Sequence, residues 1–495
     1  MKKYYLININ VFILLCTLTA CSAFLEEKAD SFLLASTDVN ATMLEAQLQG
    51  AYKSLLWYKN DRPVMVGITG TDEAQGKAVE VNYWAEQGAL DRYNASLNSD
   101  NSFTAWMWNT GYFSISRANM VIRSVKNVSE ISDEEKSSKE AEARYIRAMS
   151  YFTLAQYFGK VPLITEHTEP STEPDYPREE LSLIYKFVID DLEYAETNLR
   201  TGYRNGRATA GAAKALMMKT YMYAQPESGF RDYAKAKKQF EEIEQLGKYS
   251  LQEKYEELFM PEHENGVESV YEFQFEYPDE PSHAQYYTGS RGIGEYGPGS
   301  GYAMFLPTQR YLGLFTEGDG DERFKASVRT EFYRDGELIT SAPDPEYIAP
   351  HCKKYEDDRQ VHSWNSAKNI YYIRYADLIL LYAECLNDEG KLTEAKQQVK
   401  KVRDRAKVTT PITANSKQEM LDFIYEERMR ELGMEGWRRF DLVRRGADYF
   451  AGEVDKYNAF AKGNVKTHHA LYPIPSNEIN MNNGISPEDQ NPGYN

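Results

Sequence analysis

The run Glu142-Ala143-Arg144-Tyr145-Ile146-Arg147-Ala148-Met149-Ser150-Tyr151-Phe152-Thr153-Leu154-Ala155-Gln156-Tyr157-Phe158-Gly159-Lys160-Val161-Pro162-Leu163 decides the fold class. From Glu140 to Phe158, Ala143, Ile146, Ala148, Met149, Phe152, Leu154 and Ala155 give a broad apolar face at helical spacing. Gly159 then stands as a C-cap residue, and Pro162 prevents continuation. Further helical patterns lie near 40–58, 180–199, 210–224, 230–246, 370–388, 392–406, 416–432 and 437–447. Between roughly 255 and 368, Gly, Pro, Ser and aromatics dominate, with short alternating runs such as Val267 to Phe275. That composition predicts loops with a few short strands. The fold class is therefore mainly α: helical blocks at about 137–250 and 370–450, packed against a loop-rich insertion at about 255–368.

The helices pair. In Leu380 to Ala406, Ala383 and Ala395 lie twelve residues apart, with Gly390 between them and Val399 and Val402 following. This resembles a tetratricopeptide repeat, in which small residues let two antiparallel helices approach closely. The pair 210–224 and 230–246 is a weaker match because its connection is longer.

At the N-terminus, Lys2-Lys3 precede an apolar stretch from Tyr4 to Leu18, followed by Thr19-Ala20-Cys21-Ser22. A basic start, a short hydrophobic middle and small residues before a cleavage point are the parts of a secretory signal. The stretch is too short, and too interrupted by Asn8 and Asn10, for a membrane-spanning helix. Cys21 after Leu18-Thr19-Ala20 resembles the lipobox of bacterial lipoproteins, which implies a signal peptide over 1–20 and a mature single domain over 21–495 whose first residue carries lipid. Two or three acyl chains, at about 0.8 kcal/mol per buried CH₂, make such anchoring stable.

The 495 residues include 75 Asp and Glu against 57 Lys and Arg, a balance that argues against nucleic-acid binding through a generally basic surface. Past the signal only Cys21, Cys352 and Cys385 remain, so this is no disulfide scaffold, and Cys385 reads as a buried thiol inside a helix. The 38 Tyr exceed the 21 Phe, and many lie in polar, glycine-containing stretches. Tyrosine suits surfaces that are partly wet, which points to binding as well as core.

Several blocks, in order along nearly the whole chain, resemble the SusD/RagB family of Bacteroidetes surface lipoproteins. They include Tyr112, Ile115 and Arg117-Ala118-Asn119, then the Glu142–Leu163 run as the family's central signature. Asp191-Leu192, Arg207-Ala208-Thr209, Arg374-Tyr375-Ala376-Asp377 and Val402-Arg403-Asp404-Arg405-Ala406 follow. Glu427-Arg428, Glu431-Leu432, Arg438, Asp441-Leu442, Leu471-Tyr472-Pro473-Ile474-Pro475 and Gln490-Asn491-Pro492-Gly493-Tyr494 complete the match. The resemblance implies four tetratricopeptide-like units against an irregular half that carries the ligand site, with an oligosaccharide as ligand and no catalysis or cofactor. It implies an outer-membrane, cell-surface location and a SusC-like TonB-dependent transporter as partner. Glu26 and Glu27 look like the acidic residues that follow the lipidated cysteine in exported members. A peptide ligand, as in RagB-like members, is the alternative.

The chemistry-bearing residues agree with binding. Arg374, Asp377 and Glu384 share a helical stripe, and Glu427, Glu431 and Glu435 with Arg428, Arg438 and Arg439 form a second charged set. Both sit on apolar-rich helices and read as ion pairs between packed helices rather than a glycosidase acid/base pair. Gly292-Ile293-Gly294-Glu295-Tyr296-Gly297 matches a dinucleotide fingerprint but lacks the strand before and helix after it. It is either a loop that brings Arg291, Tyr296 or Tyr302 to a ligand or plain surface. Asp319-Gly320-Asp321-Glu322 lacks the remaining calcium ligands, and His468-His469 lacks a third metal ligand. A sugar site needs aromatic platforms beside planar hydrogen-bonding groups. Three places supply them: Asp72-Glu73 with Tyr83 and Trp84; the loop with Tyr286, Tyr287, Arg291 and Tyr296; and Trp364-Asn365. For each aromatic, ordinary packing is the competing reading. Trp106 and Trp108 fall in a helical block and read as core.

Overall fold

The computed structural model describes residues 39–55, 67–76, 85–169, 171–202, 206–293, 299–315, 320–342, 345–359 and 365–494. The longer helices are α1 (Ala41–Lys53), α2 (Ala85–Arg92), α3 (Ser102–Val125), α4 (Asp133–Phe158), α5 (Leu181–Asn198), α6 (Ala210–Tyr223) and α7 (Tyr233–Leu246). After the loop-rich insertion come α8 (Tyr375–Asp388), α9 (Leu392–Arg405), α10 (Lys417–Leu432), α11 (Arg438–Arg444) and α12 (Ala447–Tyr457). The protein is mainly α.

The signature run forms the axis of the first block. Ser132 caps α4 by accepting the Glu135 N–H at 3.2 Å, and Gly159 ends it at φ 70°. Helix α4 packs against α3 and α5, and from Ala141 to Phe158 every residue except Arg144 is buried. A helix buried all round sits inside its block, so the apolar face read from the sequence is a full circumference. Its polar members are paired within that interior. The Arg147 guanidinium grips Asp191 of α5 with two bonds of 2.8 Å and reaches Asn119 of α3 at 2.6 Å. Three of the signature blocks thus meet in one buried cross-brace.

Helices α8 and α9 pair as the small residues foretell: Ala383 and Ala395 are fully buried, and Gly390 turns between them at φ 78°. Helices α6 and α7 form the second pair, with Asp232 capping α7 through the Lys235 N–H at 2.9 Å. The helix expected over 370–388 begins later. Residues Ile370–Arg374 are a strand, β8, paired antiparallel with β2 (Ser269–Phe273) in the register Phe273↔Ile370 and Ser269↔Arg374. Ile370-Tyr371-Tyr372-Ile373 is β-branched and aromatic, which suits a pleated, buried surface, and the helical period starts only at Tyr375. The pattern over 437–447 likewise splits into α11 and α12 at Gly446, whose φ is 118°.

The insertion carries the remaining strands in two-stranded pieces. These are β1 (Ala74–Gly76) with β3 (Phe305–Pro307), β4 (Val328–Arg329) with β7 (His351–Cys352), and the hairpin β5 (Tyr333–Arg334) and β6 (Glu337–Leu338). One continuous cluster of buried apolar side chains runs from Val39 to Ile474 and joins the helical blocks to the insertion. Trp108 is 1% exposed and edge-on to Phe158, a core residue as expected. Cys352 and Cys385 are free and buried. No helix among the described residues is long and apolar enough to cross a membrane.

Candidate functional site

The tyrosine-rich stretch closes into a collar. The short helix Ala284–Thr288 runs into Gly289-Ser290, and the chain returns beside it at Ser300–Met304. Backbone bonds clamp the two arms: Tyr302 N–H to Tyr286 O at 2.7 Å, Met304 N–H to Tyr287 O at 2.8 Å, Ala303 N–H to Gly289 O at 2.6 Å. A Cβ on Gly289 would lie 2.1 Å from Ser300 O, so the closure requires glycine there. Tyr302 is half-buried; its ring stands 4.3 Å from that of Tyr286, and the Arg291 guanidinium lies 4.1 Å from its centroid. Arg291 Nη1 also reaches the Tyr347 hydroxyl at 3.5 Å. An arginine stacked on a tyrosine face gives a flat surface with donors at its rim, the combination a sugar ring needs.

Described segments next to the other two stretches pack beside this collar. Strand β1, which continues from Asp72-Glu73, pairs with β3 immediately after the collar, Gly76 opposite Phe305. From the other side, Ser366 joins it: Ser282 N–H donates to Ser366 O at 2.7 Å, and the Ser366 hydroxyl donates to Asp357 at 2.9 Å. The buried Gln285 side chain completes the tie by accepting the Asp357 N–H at 2.8 Å. The hairpin β5–β6 leans on the same place, since Arg334 Nη2 donates to Gly292 O.

Individual residues are placed less uniformly. Asp72 is fully buried and paired with Arg438, so its carboxylate faces the interior rather than a ligand surface. Tyr286 and Tyr287 are 5% and 1% exposed; their rings pack edge-on at 5.0 Å and form the wall of the collar. Arg291 and Tyr302 stand nearer to solvent. Tyr83, Trp84, Tyr296, Trp364 and the lipobox Cys21 lie outside the described residues, as do Gly294–Gly297 of the fingerprint and Asp319. Asp321 is engaged by the buried Arg323 at 2.7 Å, a structural turn. The β5–β6 hairpin was legible but missed: Asp335-Gly336, with φ of 53° and 84°, is the two-residue turn that an Asp-Gly pair announces.

The charged sets on the helices are interior braces. Asp377 takes Lys219 and Arg428, the latter at 2.7 Å; Arg428 passes on to Asp441 at 2.9 Å; and Arg444 joins Asp441 at 3.0 Å to Glu384 at 2.7 Å. Arg374 binds Glu268 at 2.9 Å, Glu431 at 2.5 Å and Glu435 at 2.8 Å, while Arg323 holds Glu427 at 2.7 Å. Among the described residues no group of three or more His, Cys, Asp or Glu is placed to hold a metal ion. A cleft of about 1130 Å³ opens elsewhere, between the start of α4 and the end of α5, but its lining, from Ser132 to Glu142 and from Thr197 to Gly202, contains no aromatic residue.

Comparison with known proteins places this arrangement. The family described as "SusD family" matches residues 267–494, and the one described as "Starch-binding associating with outer membrane" matches 23–222. The chain belongs to the SusD/RagB family. SusD-like protein P2 of Formosa agariphila is 26% identical over 542 aligned positions, covering all of both chains. The starch-binding protein SusD of Bacteroides thetaiotaomicron is 23% identical, covering 83% of this chain and 82% of its own. A laminarin-binding SusD-like protein of solved structure superposes with a TM-score of 0.77 at 24% identity, over 92% of this chain and 100% of its own. The SusD/RagB signature blocks are accounted for physically: Arg147, Asn119 and Asp191 brace the first helical block, and Asn491 Nδ2 ties the C-terminus to Phe158 O at 3.0 Å and Tyr472 O at 2.7 Å.

Proposed function

We propose that this chain is a lipid-anchored, surface-facing, non-catalytic glycan-binding protein that delivers oligosaccharides to a SusC-like TonB-dependent outer-membrane transporter. The observation that carries the reading is the Arg291–Tyr302 stack on a clamped collar, in a family with starch-binding members. The starch-binding and laminarin-binding relatives support a glycan ligand. Non-catalysis is supported by the charged sets, whose carboxylates are each held by guanidinium or ammonium groups inside the helical blocks. Anchoring is supported by the lipobox at Cys21, two residues before the family match begins.

Tyr83, Trp84, Tyr296 and Trp364 are the further aromatic platforms of this reading, with Arg291 and Tyr302 at its described centre. Calorimetry against a panel of plant, host and microbial glycans tests it. At least one glycan is expected to bind, and Tyr302→Ala is expected to weaken it about tenfold, the equivalent of about 1.4 kcal/mol. Binding of peptides with no glycan retained would overturn the reading.

A further inference from the structure

Three buried carboxylates meet at the turn Gly70–Gly76, and among the described residues only Asp72 makes an ion pair. Glu73 is 1% exposed, and its Oε1 accepts the Met434 N–H at 3.0 Å. Asp91 of α2 is 2% exposed, and its Oδ1 accepts the Gly70 N–H at 3.2 Å and the Asn458 amide at 2.8 Å. Neither makes an ion pair among the described residues.

The same turn is a mechanical junction. Gly70 sits at φ +71°, where a Cβ would lie 2.2 Å from Leu90 O, so the turn is seated directly on α2. The Tyr93 hydroxyl donates to Gly70 O at 2.5 Å. Thr308 grips the turn from the other side, its N–H on Glu73 O at 2.9 Å and its hydroxyl on Asp72 O at 2.5 Å. Strand β1 leaves this turn to pair with β3, so the turn and the collar keep their relative position through it.

We propose that the Gly70–Gly76 turn is a proton-operated latch of the ligand side. With Glu73 and Asp91 carrying their protons it stays closed on α2 and β3, and loss of a proton to solvent leaves a buried carboxylate that has hydrogen-bond donors but no ion-pair partner among the described residues, and loosens the β1–β3 register. The latch rests on the glycan reading above for its consequence, regulated capture, though not for its existence. The groups facing Glu73 are Asp72 in the turn, Arg438 of α11, Lys354 after β7, and Tyr311 of the helix Gln309–Leu312. Those facing Asp91 are Arg92 at the end of α2 and Tyr93 just after it. Burial pushes Glu73 up to about 8 against the pull of Arg438, and the Asp72 charge adds to the rise. Burial likewise pushes Asp91 up to about 6. Both folded values exceed the unfolded carboxylate range, so the closed turn is favoured at low pH and loses support as pH rises from that range up to each folded value, with no further loss above it.

Amide hydrogen exchange on the full chain, corrected for the intrinsic base-catalysed rate, is followed from about pH 6 to about pH 9 with glycan affinity measured in parallel. Protection over 68–76 and 304–308 is expected to fall by about tenfold per pH unit up to about pH 8 and to level off above it, and E73Q is expected to flatten the change. Equal pH profiles in wild type and E73Q would overturn the latch. If E73Q does not fold, the wild-type profile decides alone: a loss of protection confined to these segments supports the latch, and a uniform or absent one overturns it. If no glycan binds at any pH, the glycan reading fails while the exchange data still judge the latch. Unchanged affinity over a range where the turn loosens would overturn its regulatory role.

Discussion

Arg438 lies 2.7 and 2.6 Å from the two carboxylate oxygens of Asp72, a residue 366 positions earlier in the chain. The pair is buried at both ends and pins the ligand-side turn to the second helical block. Removing one partner of a buried pair leaves the other charge uncompensated, at a cost of about 3–5 kcal/mol. Arg438→Ala and Asp72→Ala should each lower the denaturant midpoint accordingly. The double variant should cost less than the sum of the two. Additive losses would show that the two residues act separately.

The ion-pair braces make an acid prediction. Burial alone would raise the carboxyls of Asp377, Glu427 and Glu435, but neighbouring cations outweigh it and hold all three below their ordinary range. For Asp377 these are Lys219 and Arg428, for Glu427 chiefly Arg323, and for Glu435 Arg374 and Lys354. Folded values below the unfolded ones mean that their stabilisation is present above about pH 4.5 and is lost as pH falls further. Tm measured between about pH 7 and about pH 3 should drop steeply only below about 4.5. A Tm insensitive to acid would contradict the assignment.

The α8–α9 pair depends on side chains with no volume to spare. Ala383 and Ala395 are fully buried on two helices that pack against each other. Ala383→Leu should cost about 1–3 kcal/mol by overpacking, whereas Ala383→Gly should cost about 1 kcal/mol through helix propensity. Chemical denaturation of both variants measures this. A leucine tolerated without loss would mean that the helices do not touch there.

Helices were legible because a 3.6-residue period survives in any chain that buries a stripe, and α6, α9 and α10 fall within three residues of their sequence-read bounds, while α4 begins seven residues before Glu140. Strand β8 was not, because four apolar and aromatic residues abutting a helix carry no period of their own. The candidate site was legible in part. Aromatic-rich stretches can be seen in one dimension, but what packs beside the collar depends on Gly76 pairing with Phe305 and Ser282 with Ser366, contacts across large sequence separations. Burial inverted the roles of Asp72 and Tyr287: one finds its counterion in Arg438 and the other packs as a wall, and neither partner is marked by spacing.

The anchor carries the last prediction. Stable attachment takes at least two acyl chains, since one chain alone binds only marginally. Cys21→Ala should therefore move the protein from the membrane fraction to the soluble fraction on cell fractionation, while its glycan affinity in solution stays that of the parent. Retention of the variant in washed membranes would sink lipidation at Cys21 as the tether, whereas loss of glycan affinity along with attachment would show that the N-terminal segment takes part in the ligand site.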